Sequence, residues 1–375
     1  MADTYKVNLI RESMPPYEEY CDMIKVIWDQ KWLTNSGVLH NELESKLKTY
    51  LGVDNCLLYT NGHMAIESAL QSLKLKGEVI TTPFTFLSTT QAIVRSGLVP
   101  RFVDIDPKRL TIDPVAIEKA INDKTAAIMG VHVYGMPCDV ETISEIADRY
   151  GLKVIYDAAH AFGTIYQGKG IGTYGDVSAF SMHATKVFNT AEGGAVTFSN
   201  SDYYDNLKNI RNFGFSSKED ANIVGFNAKM SELHAAVGLC NLKYIDSYIS
   251  KRKHICTLYD EVFSDREDLT ILPKIKDLVS NYSYYPIVLN NKAKCSRDSL
   301  FSSLDSLGIQ TRKYFSPLTS TFSCIKELGY STKCPIAERV SNNVICLPLH
   351  TELNDESVQY VVSAITNLLR VGMDN

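Results

Sequence analysis

The sequence lacks several features that would place it in a broad class. It has no run of basic residues, and its 38 Lys and Arg against 43 Asp and Glu argue against nucleic acid as a partner. No apolar stretch is long enough to span a bilayer. The first six residues also lack the apolar core of a signal peptide. We therefore expect a cytoplasmic protein that binds neither nucleic acid nor membrane.

Disulfide and metal signatures are missing as well. The nine cysteines are an odd number, are scattered, and include no C-x-x-C pair. Reduced thiols fit this pattern better than a disulfide framework or a zinc site does. His132, His160 and His183 show no metal-ligand spacing, so we expect no metal.

What the sequence does contain is a regular alternation of short apolar stretches with segments of helical spacing, beginning near residue 41. The apolar stretches predict seven strands, Cys56–Thr60, Glu78–Thr82, Arg101–Asp104, Ala127–Val131, Lys153–Tyr156, Val177–Ser181 and Ala195–Phe198. Such alternation predicts an α/β fold with a mainly parallel sheet covered on both faces. Ligands of these sheets bind beyond the carboxyl ends of the strands, so the residues that follow each strand are the most informative.

The 375 residues are enough for a large and a small domain. Residues 1–40 predict an N-terminal arm that either covers the core or contacts substrate or a partner. Residues 41–245 predict the large domain. A single long helix, from Met230 to Ser250 or beyond, is predicted to lead out of it. Residues 246–375 predict a smaller α+β domain.

A lysine follows the sixth strand, in Ser181-Met182-His183-Ala184-Thr185-Lys186, and Glu192-Gly193-Gly194 leads back into the seventh. Taken alone, Lys186 is most simply a surface loop residue. Its position beyond a buried strand, among small and polar residues, makes a role in a binding site worth testing against the other strand ends.

Three other strand ends carry candidate groups. Gly62 follows the first strand, in an ordinary tight turn or in a cradle whose backbone N–H groups face an anion. Phe86 follows the second strand, where its side chain either fills the core or stacks on the planar ring of a ligand. Asp157 follows the fifth strand, either as a helix N-cap or as a buried carboxylate that needs a cationic partner.

Two glycine-rich motifs nearby are misleading. Residues 163–169 nearly match a phosphate-binding P-loop, but Gly170 stands where Ser or Thr must hold magnesium. Residues 170–175 match G-x-G-x-x-G but precede a strand instead of following one. Both predict a single glycine-rich hairpin.

Together the strand ends provide what pyridoxal 5′-phosphate requires. A lysine forms the covalent imine, a carboxylate keeps the pyridine nitrogen protonated, and the cradle with Ser181 binds the phosphate. An ordinary lysine has a pKa of about 10.4, and burial would lower the pKa of Lys186 enough to make its amine reactive at neutral pH.

The chain resembles, over nearly its whole length, the DegT/DnrJ/StrS family of sugar-nucleotide aminotransferases, which have the aspartate aminotransferase fold of fold type I. The resemblance is carried by residues 14–16, 32–35, 61–62, 82–86, 103–106, 131–135, 157–160, 181–186 with 192–194, and 211–214. It implies pyridoxal 5′-phosphate as cofactor and a homodimer with shared active sites.

The resemblance also implies a role for each matching residue. For the cofactor ring, it implies that Lys186 is the Schiff-base lysine, that Asp157 contacts the pyridine nitrogen, that His160 lies near the ring hydroxyl and that Phe86 stacks on the ring. For the cofactor phosphate, it implies that Ser181 binds together with Gly62 and the backbone of His63 and Met64. Asn227 is implied to reach the phosphate in the neighbouring subunit. On the substrate side are His183, Glu192, Trp32 of the arm, and the stretch Arg312, Lys313 and Tyr314, where a cation suits a nucleotide diphosphate.

Three positions depart from the family pattern. His63 stands where Thr or Ser is usual, which leaves its own role open. Phe213 replaces a common histidine and Ala191 a common glycine, away from the expected chemistry.

The expected reaction is a ping-pong transamination from L-glutamate to a nucleotide-linked keto-6-deoxysugar. The favoured conversion is dTDP-4-keto-6-deoxy-D-glucose to dTDP-4-amino-4,6-dideoxy-D-glucose, for a surface polysaccharide such as O-antigen. Amination at C3 and a UDP- or GDP-linked 4-ketosugar remain open alternatives. Dehydratase relatives carry histidine in place of the lysine, so Lys186 argues against them. An alternative of another class is a non-enzymatic, cofactor-binding regulator.

Overall fold

The chain is built around one large sheet. The computed structural model describes residues 5–330 and 332–371. Its helices are α1 Tyr17–Gln30, α2 Val38–Leu51, α3 Gly62–Ser72, α4 Leu87–Arg95, α5 Pro114–Ala120, α6 Val140–Tyr150, α7 Tyr204–Ile210, α8 Glu232–Leu242, α9 Ile245–Phe263, α10 Arg297–Ser306, α11 Ser323–Lys326, α12 Pro335–Asn343 and α13 Asp355–Val371. Its strands are β1 Asn55–Tyr59, β2 Glu78–Thr81, β3 Val99–Phe102, β4 Thr125–Val131, β5 Lys153–Asp157, β6 Ile165–Tyr166, β7 Lys169–Gly170, β8 Val177–Ser181, β9 Gly194–Phe198, β10 Leu269–Ile271, β11 Leu278–Val279, β12 Tyr285–Leu289 and β13 Val344–Leu347.

The seven predicted strands form this sheet, in the order β1-β9-β8-β5-β4-β2-β3. β9 runs antiparallel to both of its neighbours, whereas the other neighbouring strands are parallel. Successive residues of a strand enter two different apolar cores, as Val154 and Ile155 of β5 do. The prediction of a mainly parallel sheet buried on both faces is therefore confirmed.

The third strand lies earlier than predicted, at Val99–Phe102 instead of Arg101–Asp104. Pro100 lies within it, and an edge strand tolerates a residue without an N–H. Asp104 lies beyond the strand, where its carboxylate accepts the N–H groups of Ile336 at 2.9 Å and Ala337 at 2.8 Å. Asp104 thus caps α12 from a distant part of the chain.

The single long helix predicted from Met230 to Ser250 is instead two helices, α8 and α9. Tyr244, which precedes α9, has φ −110° and ψ −5°, away from the usual α-helical values of about −63° and −42°. The side chains of Lys243 and Tyr244 both hydrogen-bond to Glu19 of α1. These contacts hold the residues between α8 and α9 against α1.

The C-terminal part has its own apolar core around the antiparallel sheet β10-β12-β13, covered by α9, α10 and α13. Val7 enters this core and pairs with Ile309, so the start of the arm packs on the C-terminal part. Residues 1–4 of the predicted arm, and 331 and 372–375 of the predicted small domain, lie outside the described residues. The predicted domain boundaries stay a prediction.

The C-terminal part meets the large sheet close to its strand ends. Phe315 packs edge-on against Phe84, with ring centroids 5.9 Å apart. Buried Asn281 donates from Nδ2 to the carbonyls of His160 at 2.7 Å and Phe162 at 3.0 Å. Two short segments of the C-terminal part, around Asn281 and around Phe315, therefore lie beside the carboxyl ends of the strands.

The glycine-rich hairpin is confirmed. β6 and β7 pair antiparallel, and β11 adds a third strand. A Cβ at Gly170 would lie 1.9 Å from the carbonyl oxygen of Leu51, so only glycine fits this close approach. Among the described residues, no helix is long and apolar enough to cross a membrane.

Candidate active site

A cavity of about 930 Å³ opens at the carboxyl ends of the sheet strands, between the large sheet and the C-terminal part. The sequence-predicted residues that line it are Gly62, His63, Met64, Phe86, Asp157, His160, Ser181, His183, Lys186, Glu192, Arg312 and Tyr314. They come from six separated segments of the chain. Five of these lie at the strand ends of the large sheet, and the sixth, residues 312–314, belongs to the C-terminal part.

Lys186 reaches this cavity from the loop after β8. Its backbone N–H donates to the carbonyl of His183 at 2.9 Å, which closes a tight turn. Burial lowers the pKa of the Lys186 amine to about 8, although the charge of Asp157 acts in the opposite direction. An amine with this pKa is substantially neutral, and so nucleophilic, close to physiological pH.

Asp157 ends β5 and is 5% exposed. Oδ2 accepts a hydrogen bond from the Thr89 hydroxyl at 2.7 Å, and Oδ1 accepts one from the N–H of Ala159 at 3.0 Å. Burial raises the pKa of this carboxyl, and these hydrogen bonds and the charges of Lys186 and His63 offset part of the rise. A buried carboxylate of this kind gains most from a cationic ligand atom.

His160 is held as a neutral hydrogen-bond donor. Its Nδ1 accepts the backbone N–H of Tyr134 at 3.1 Å, which assigns the ring proton to Nε2. Burial, followed by the charge of Lys186, holds the pKa of the imidazole well below its usual range. The ring stacks on Phe315 at 5.7 Å with a 2° interplanar angle. His160 therefore offers a fixed Nε2–H from the cavity wall.

The first turn of α3 provides an anion cradle. A Cβ at Gly62 would lie 2.7 Å from Ser181 Cβ and 3.1 Å from Ser181 Oγ, so the missing side chain leaves this serine beside the helix N-terminus. The N–H groups of Gly62 and His63 have no acceptor among the described residues, which leaves them for a ligand. The N–H of Met64 differs from our expectation because it already donates to the Asn61 N-cap at 2.9 Å.

The opposite side of the cavity is open. Phe86 is 59% exposed although it follows a buried strand. The guanidinium of Arg312 lies over the ring of Tyr314, 4.9 Å from its centroid. His183 and Glu192 are both exposed, with 3.7 Å between Nε2 and Oε1. These groups form the solvent-facing side of the cavity.

Three sequence-predicted residues do not line this cavity. The ammonium of Lys313, which we expected on the substrate side, pairs with Asp298 at 2.6 Å and lies over the ring of Phe301. Asn227 is exposed and accepts from the ammonium of Lys229 at 2.9 Å. Trp32 is 51% exposed and lies against Gly37.

The sequence reasoning also missed residues of the site. Thr89, Ser88 and Lys229 lie within or beside motifs that we had singled out, but nothing in the spacing distinguished them from their neighbours. Tyr284 and Phe315 line the cavity from the C-terminal part, and no local pattern connects them with the strand ends. Only the packing of the two parts brings them to the site.

The donor set fits pyridoxal 5′-phosphate and does not suggest a metal. Within residues 5–330 and 332–371, no group of three or more His, Cys, Asp or Glu side chains is placed to hold a metal ion. A reactive lysine, a buried carboxylate, an exposed aromatic ring and a helix N-terminus instead surround one space large enough for the cofactor and part of a substrate.

Fold and site together define the class of fold-type I, pyridoxal phosphate-dependent aminotransferases. The structure superposes on DesI, solved in the presence of its TDP-sugar product, with a TM-score of 0.92 and 30% identity, covering 97% of this chain and 93% of DesI. It also superposes on the PLP form of the putative sugar aminotransferase Spr1654 from Streptococcus pneumoniae, with a TM-score of 0.89, 26% identity and coverage of 97% and 100%.

The family is shown by the sequence itself. Residues 17–366 match the model of the DegT/DnrJ/EryC1/StrS aminotransferase family, and the chain belongs to that family. It is 42% identical over 362 residues to the dTDP-4-amino-4,6-dideoxy-D-glucose transaminase of Shigella dysenteriae, covering 96% of this chain and 99% of the relative. The protein is therefore a pyridoxal phosphate-dependent nucleotide-sugar aminotransferase, which favours the enzyme over the non-enzymatic regulator considered from the sequence.

Proposed function

We propose that this enzyme moves an amino group from L-glutamate to C4 of dTDP-4-keto-6-deoxy-D-glucose, giving dTDP-4-amino-4,6-dideoxy-D-glucose. The observation that carries the proposal is the 42% identity over 96% of the chain to a transaminase named for that product. The product would be a building block for a surface polysaccharide such as O-antigen.

The residues of the cavity have separate roles in this proposal. Pyridoxal 5′-phosphate supplies, when bound, an aldehyde that links to amines and a ring that accepts electrons. Lys186 provides the amine that holds the cofactor and, once released, moves the proton between the two carbon centres. Its pKa of about 8 suits both tasks, because the amine is a usable base without being fully protonated.

Asp157, His160 and Phe86 would hold the ring from three sides. The Asp157 carboxylate keeps the ring nitrogen protonated, and Thr89 and Ala159 fix its orientation. The Nε2–H of His160 donates to the ring hydroxyl, and Phe86 covers one face. The N-terminus of α3 and the Ser181 hydroxyl bind the phosphate.

Arg312 and Tyr314 would bind the nucleotide sugar at the open side. Guanidinium pairs with diphosphate oxygens through two parallel hydrogen bonds, and the 4.9 Å contact with Tyr314 holds the group in place. Lys313 has no such role in the proposal, because its charge is already paired with Asp298. His183, in the same tight turn as Lys186, and Glu192 beside it would orient the sugar.

We also propose a homodimer with shared sites. Asn227 and Trp32 are exposed outside the cavity of their own chain, as residues that complete the cavity of a second copy would be. Mixing inactive Lys186→Ala with inactive Asn227→Asp chains tests this sharing. Random reassociation should restore about a quarter of the wild-type activity, since each mixed dimer then has one intact site. No restoration would contradict shared sites.

The substrate is tested by product analysis. Purified enzyme, L-glutamate and a panel of ketosugars linked to dTDP, UDP and GDP are incubated, and mass spectrometry and NMR identify the aminated carbon. We expect turnover of the dTDP-linked 4-ketosugar with amination at C4. Preferred amination at C3, or preferred turnover of a UDP- or GDP-linked sugar, would overturn the specific proposal and favour the corresponding alternative.

A further inference from the structure

Tyr284 has a hydroxyl that the rest of the chain leaves unused. Its side chain is half-buried and lines the cavity from the C-terminal part. Within residues 5–330 and 332–371, no hydrogen-bond partner contacts this hydroxyl, and its oxygen is not sealed inside the protein. The hydroxyl is therefore open to the cavity, with its donor and its lone pairs free for a ligand.

Three aromatic rings fix the orientation of Tyr284. Its ring centroid lies 4.8 Å from that of His160, 5.6 Å from that of Tyr314 and 5.9 Å from that of Tyr134. The contact with Tyr314 is edge-to-face, at an interplanar angle of 88°. Tilted and edge-to-face pairs are favourable, and these three rings come from separate segments of the chain, so together they hold the phenol in one place.

The backbone that leads into Tyr284 is anchored as well. Asn281 donates to the carbonyl of His160 at 2.7 Å, and its Oδ1 accepts the N–H of Ser283 at 3.1 Å. The buried guanidinium of Arg252 donates to the carbonyl of Ser283 at 3.3 Å. A hydroxyl on such a support keeps its position when a ligand binds, so it can discriminate between ligands by hydrogen bonding.

The phenol of Tyr284 keeps its proton at physiological pH. Burial, followed by the neighbouring phenol of Tyr314, raises the pKa of Tyr284 above its usual value of about 10, although the charge of Arg312 acts in the opposite direction. The group can therefore donate one hydrogen bond and accept another. A sugar hydroxyl, which is itself both donor and acceptor, is a matching partner.

Tyr284 also lies between the two ends of the proposed substrate site. The guanidinium of Arg312 covers the ring of Tyr314, Tyr314 abuts Tyr284, and Tyr284 abuts His160. In the proposed function, the diphosphate lies at Arg312 and the cofactor ring at His160. A hexose that is bonded to the diphosphate at C1 and presents C4 to the cofactor spans the same interval, so one edge of its ring faces Tyr284. Only the edge of C2 and C3 carries hydroxyls, because the other carries the ring oxygen and the C6 methyl.

We propose that Tyr284 is a specificity residue whose hydroxyl binds a hydroxyl at the C2–C3 edge of the hexose. This rests on the proposed function, which supplies the positions of the diphosphate and of C4. A site built to hydrogen-bond a hydroxyl rejects an analogue that lacks it, because the polar group of the protein is then left unpaired. The enzyme therefore selects ketosugars that keep a free hydroxyl on this edge.

Tyr284→Phe tests the contact, since it removes only the hydroxyl and keeps the ring contacts. With dTDP-4-keto-6-deoxy-D-glucose, kcat/KM should fall about tenfold, as for the loss of one neutral hydrogen bond. The half-reaction in which L-glutamate converts the bound cofactor involves no hexose, so its single-turnover rate and the cofactor absorbance should match the wild type. Tyr282→Phe is the matched control, because Tyr282 packs against the apolar core of the C-terminal part and does not line the cavity.

Deoxy analogues of the ketosugar identify the hydroxyl that is bound. The 2-deoxy and 3-deoxy forms each lack one hydroxyl of the edge. One of them should lose about tenfold in kcat/KM with the wild type but less than about twofold with Tyr284→Phe, because its partner on the protein is already missing. A general disturbance of the site would not produce this non-additivity.

The outcomes separate the inference from the proposal beneath it. A wild type that aminates no 4-ketosugar overturns both. If the wild type prefers a UDP- or GDP-linked sugar, the proposed carrier is wrong, and the same variants on that sugar decide the role of Tyr284.

Three results would overturn the inference alone. The first is turnover by Tyr284→Phe within twofold of the wild type. The second is an equal slowing of the L-glutamate half-reaction, which would show that the phenol serves His160 or the cofactor instead of the hexose. The third needs no variant, and is a wild type that uses both deoxy analogues as well as the parent sugar.

Discussion

The two sides of the cavity differ in how their polar groups are satisfied. The rear wall, which we define as Lys186, Asp157, His160 and Thr89, is largely buried, and its carboxylate and imidazole are held by hydrogen bonds within the chain. The front wall, Phe86, His183, Glu192, Arg312 and Tyr314, contains most of the exposed groups of the cavity.

This difference separates two tasks. Buried groups that are already oriented need no rearrangement when a ligand arrives, so the rear wall suits a permanent cofactor and a fixed chemistry. Exposed groups can exchange water for ligand at little cost, so the front wall suits a substrate that binds and leaves. We expect substitutions in the rear wall to reduce kcat and those in the front wall to act on KM.

The largest effect should come from Lys186→Ala. Without the amine, neither covalent attachment of the cofactor nor proton transfer at the substrate carbon is possible, and kcat should fall by at least about 10⁴-fold. Steady-state kinetics with dTDP-4-keto-6-deoxy-D-glucose, together with the absorbance of the bound cofactor, measure this. Retained turnover, or a wild type whose absorbance shows no lysine-linked cofactor, would overturn the role of Lys186.

Asp157→Asn should lower kcat by about 10²–10³-fold, because a neutral amide does not hold the ring nitrogen protonated. Single-turnover conversion of the cofactor by L-glutamate isolates this half of the reaction. Circular dichroism and cofactor content serve as controls for folding and loading. A rate within threefold of the wild type would mean that the carboxylate has only a structural role.

The pH dependence of Lys186 in the cofactor-free enzyme distinguishes it from a surface lysine. With a pKa of about 8, half of its amines are neutral at pH 8. Because lowering the pKa enlarges the neutral fraction at a given pH, the reactive population should be about 100-fold larger than for a lysine at the reference value of about 10.4. Reductive methylation by formaldehyde and cyanoborohydride, followed by peptide mass spectrometry, should give a rate for Lys186 that rises with pH and is half-maximal near pH 8. A midpoint above pH 10 would show that burial does not tune this amine.

Arg312 in the front wall and its neighbour Lys313, which lies outside the cavity, form a matched pair. Arg312→Ala should raise the KM for the nucleotide sugar about 10–100-fold with a smaller change in kcat, because a charge-assisted pair with the diphosphate is lost. Lys313→Ala should change KM by less than about twofold, because this lysine pairs with Asp298 outside the cavity. Equal effects of the two substitutions would contradict the assignment.

The smallest effect should come from Thr89→Val, which removes one donor to Asp157 and keeps the shape of the side chain. We expect kcat to fall about 3–10-fold, and Thr89→Ser to retain most of the activity. The absorbance spectrum of the bound cofactor as a function of pH tests the reason. The protonated ring form should persist to a higher pH in Thr89→Val, because the Asp157 carboxylate becomes more basic without this donor, and an unchanged profile would argue against this support.

Much of the fold followed from local pattern. The seven strands were predicted because each is a short apolar stretch ended by glycine or polar residues, and burial on both faces makes such stretches distinct. The break between α8 and α9 was missed because it depends on contacts of Lys243 and Tyr244 with Glu19, more than 200 residues away. The third strand was predicted two residues too late, at Arg101–Asp104, because the apolar pattern does not show that Asp104 lies beyond the strand and caps α12.

Lys186 and Asp157 could be recognised from the sequence because strand ends of a parallel sheet converge, so residue type and position together predict one site. The sequence by itself thus determined the fold class, the cofactor chemistry and the family. Only the tertiary structure decided that Arg312 faces the cavity while Lys313 does not, that Phe315 supports His160, and that Tyr284 lies between His160 and Tyr314. These arrangements depend on packing between segments far apart in the chain, and no short-range pattern encodes the direction of a side chain across such an interface.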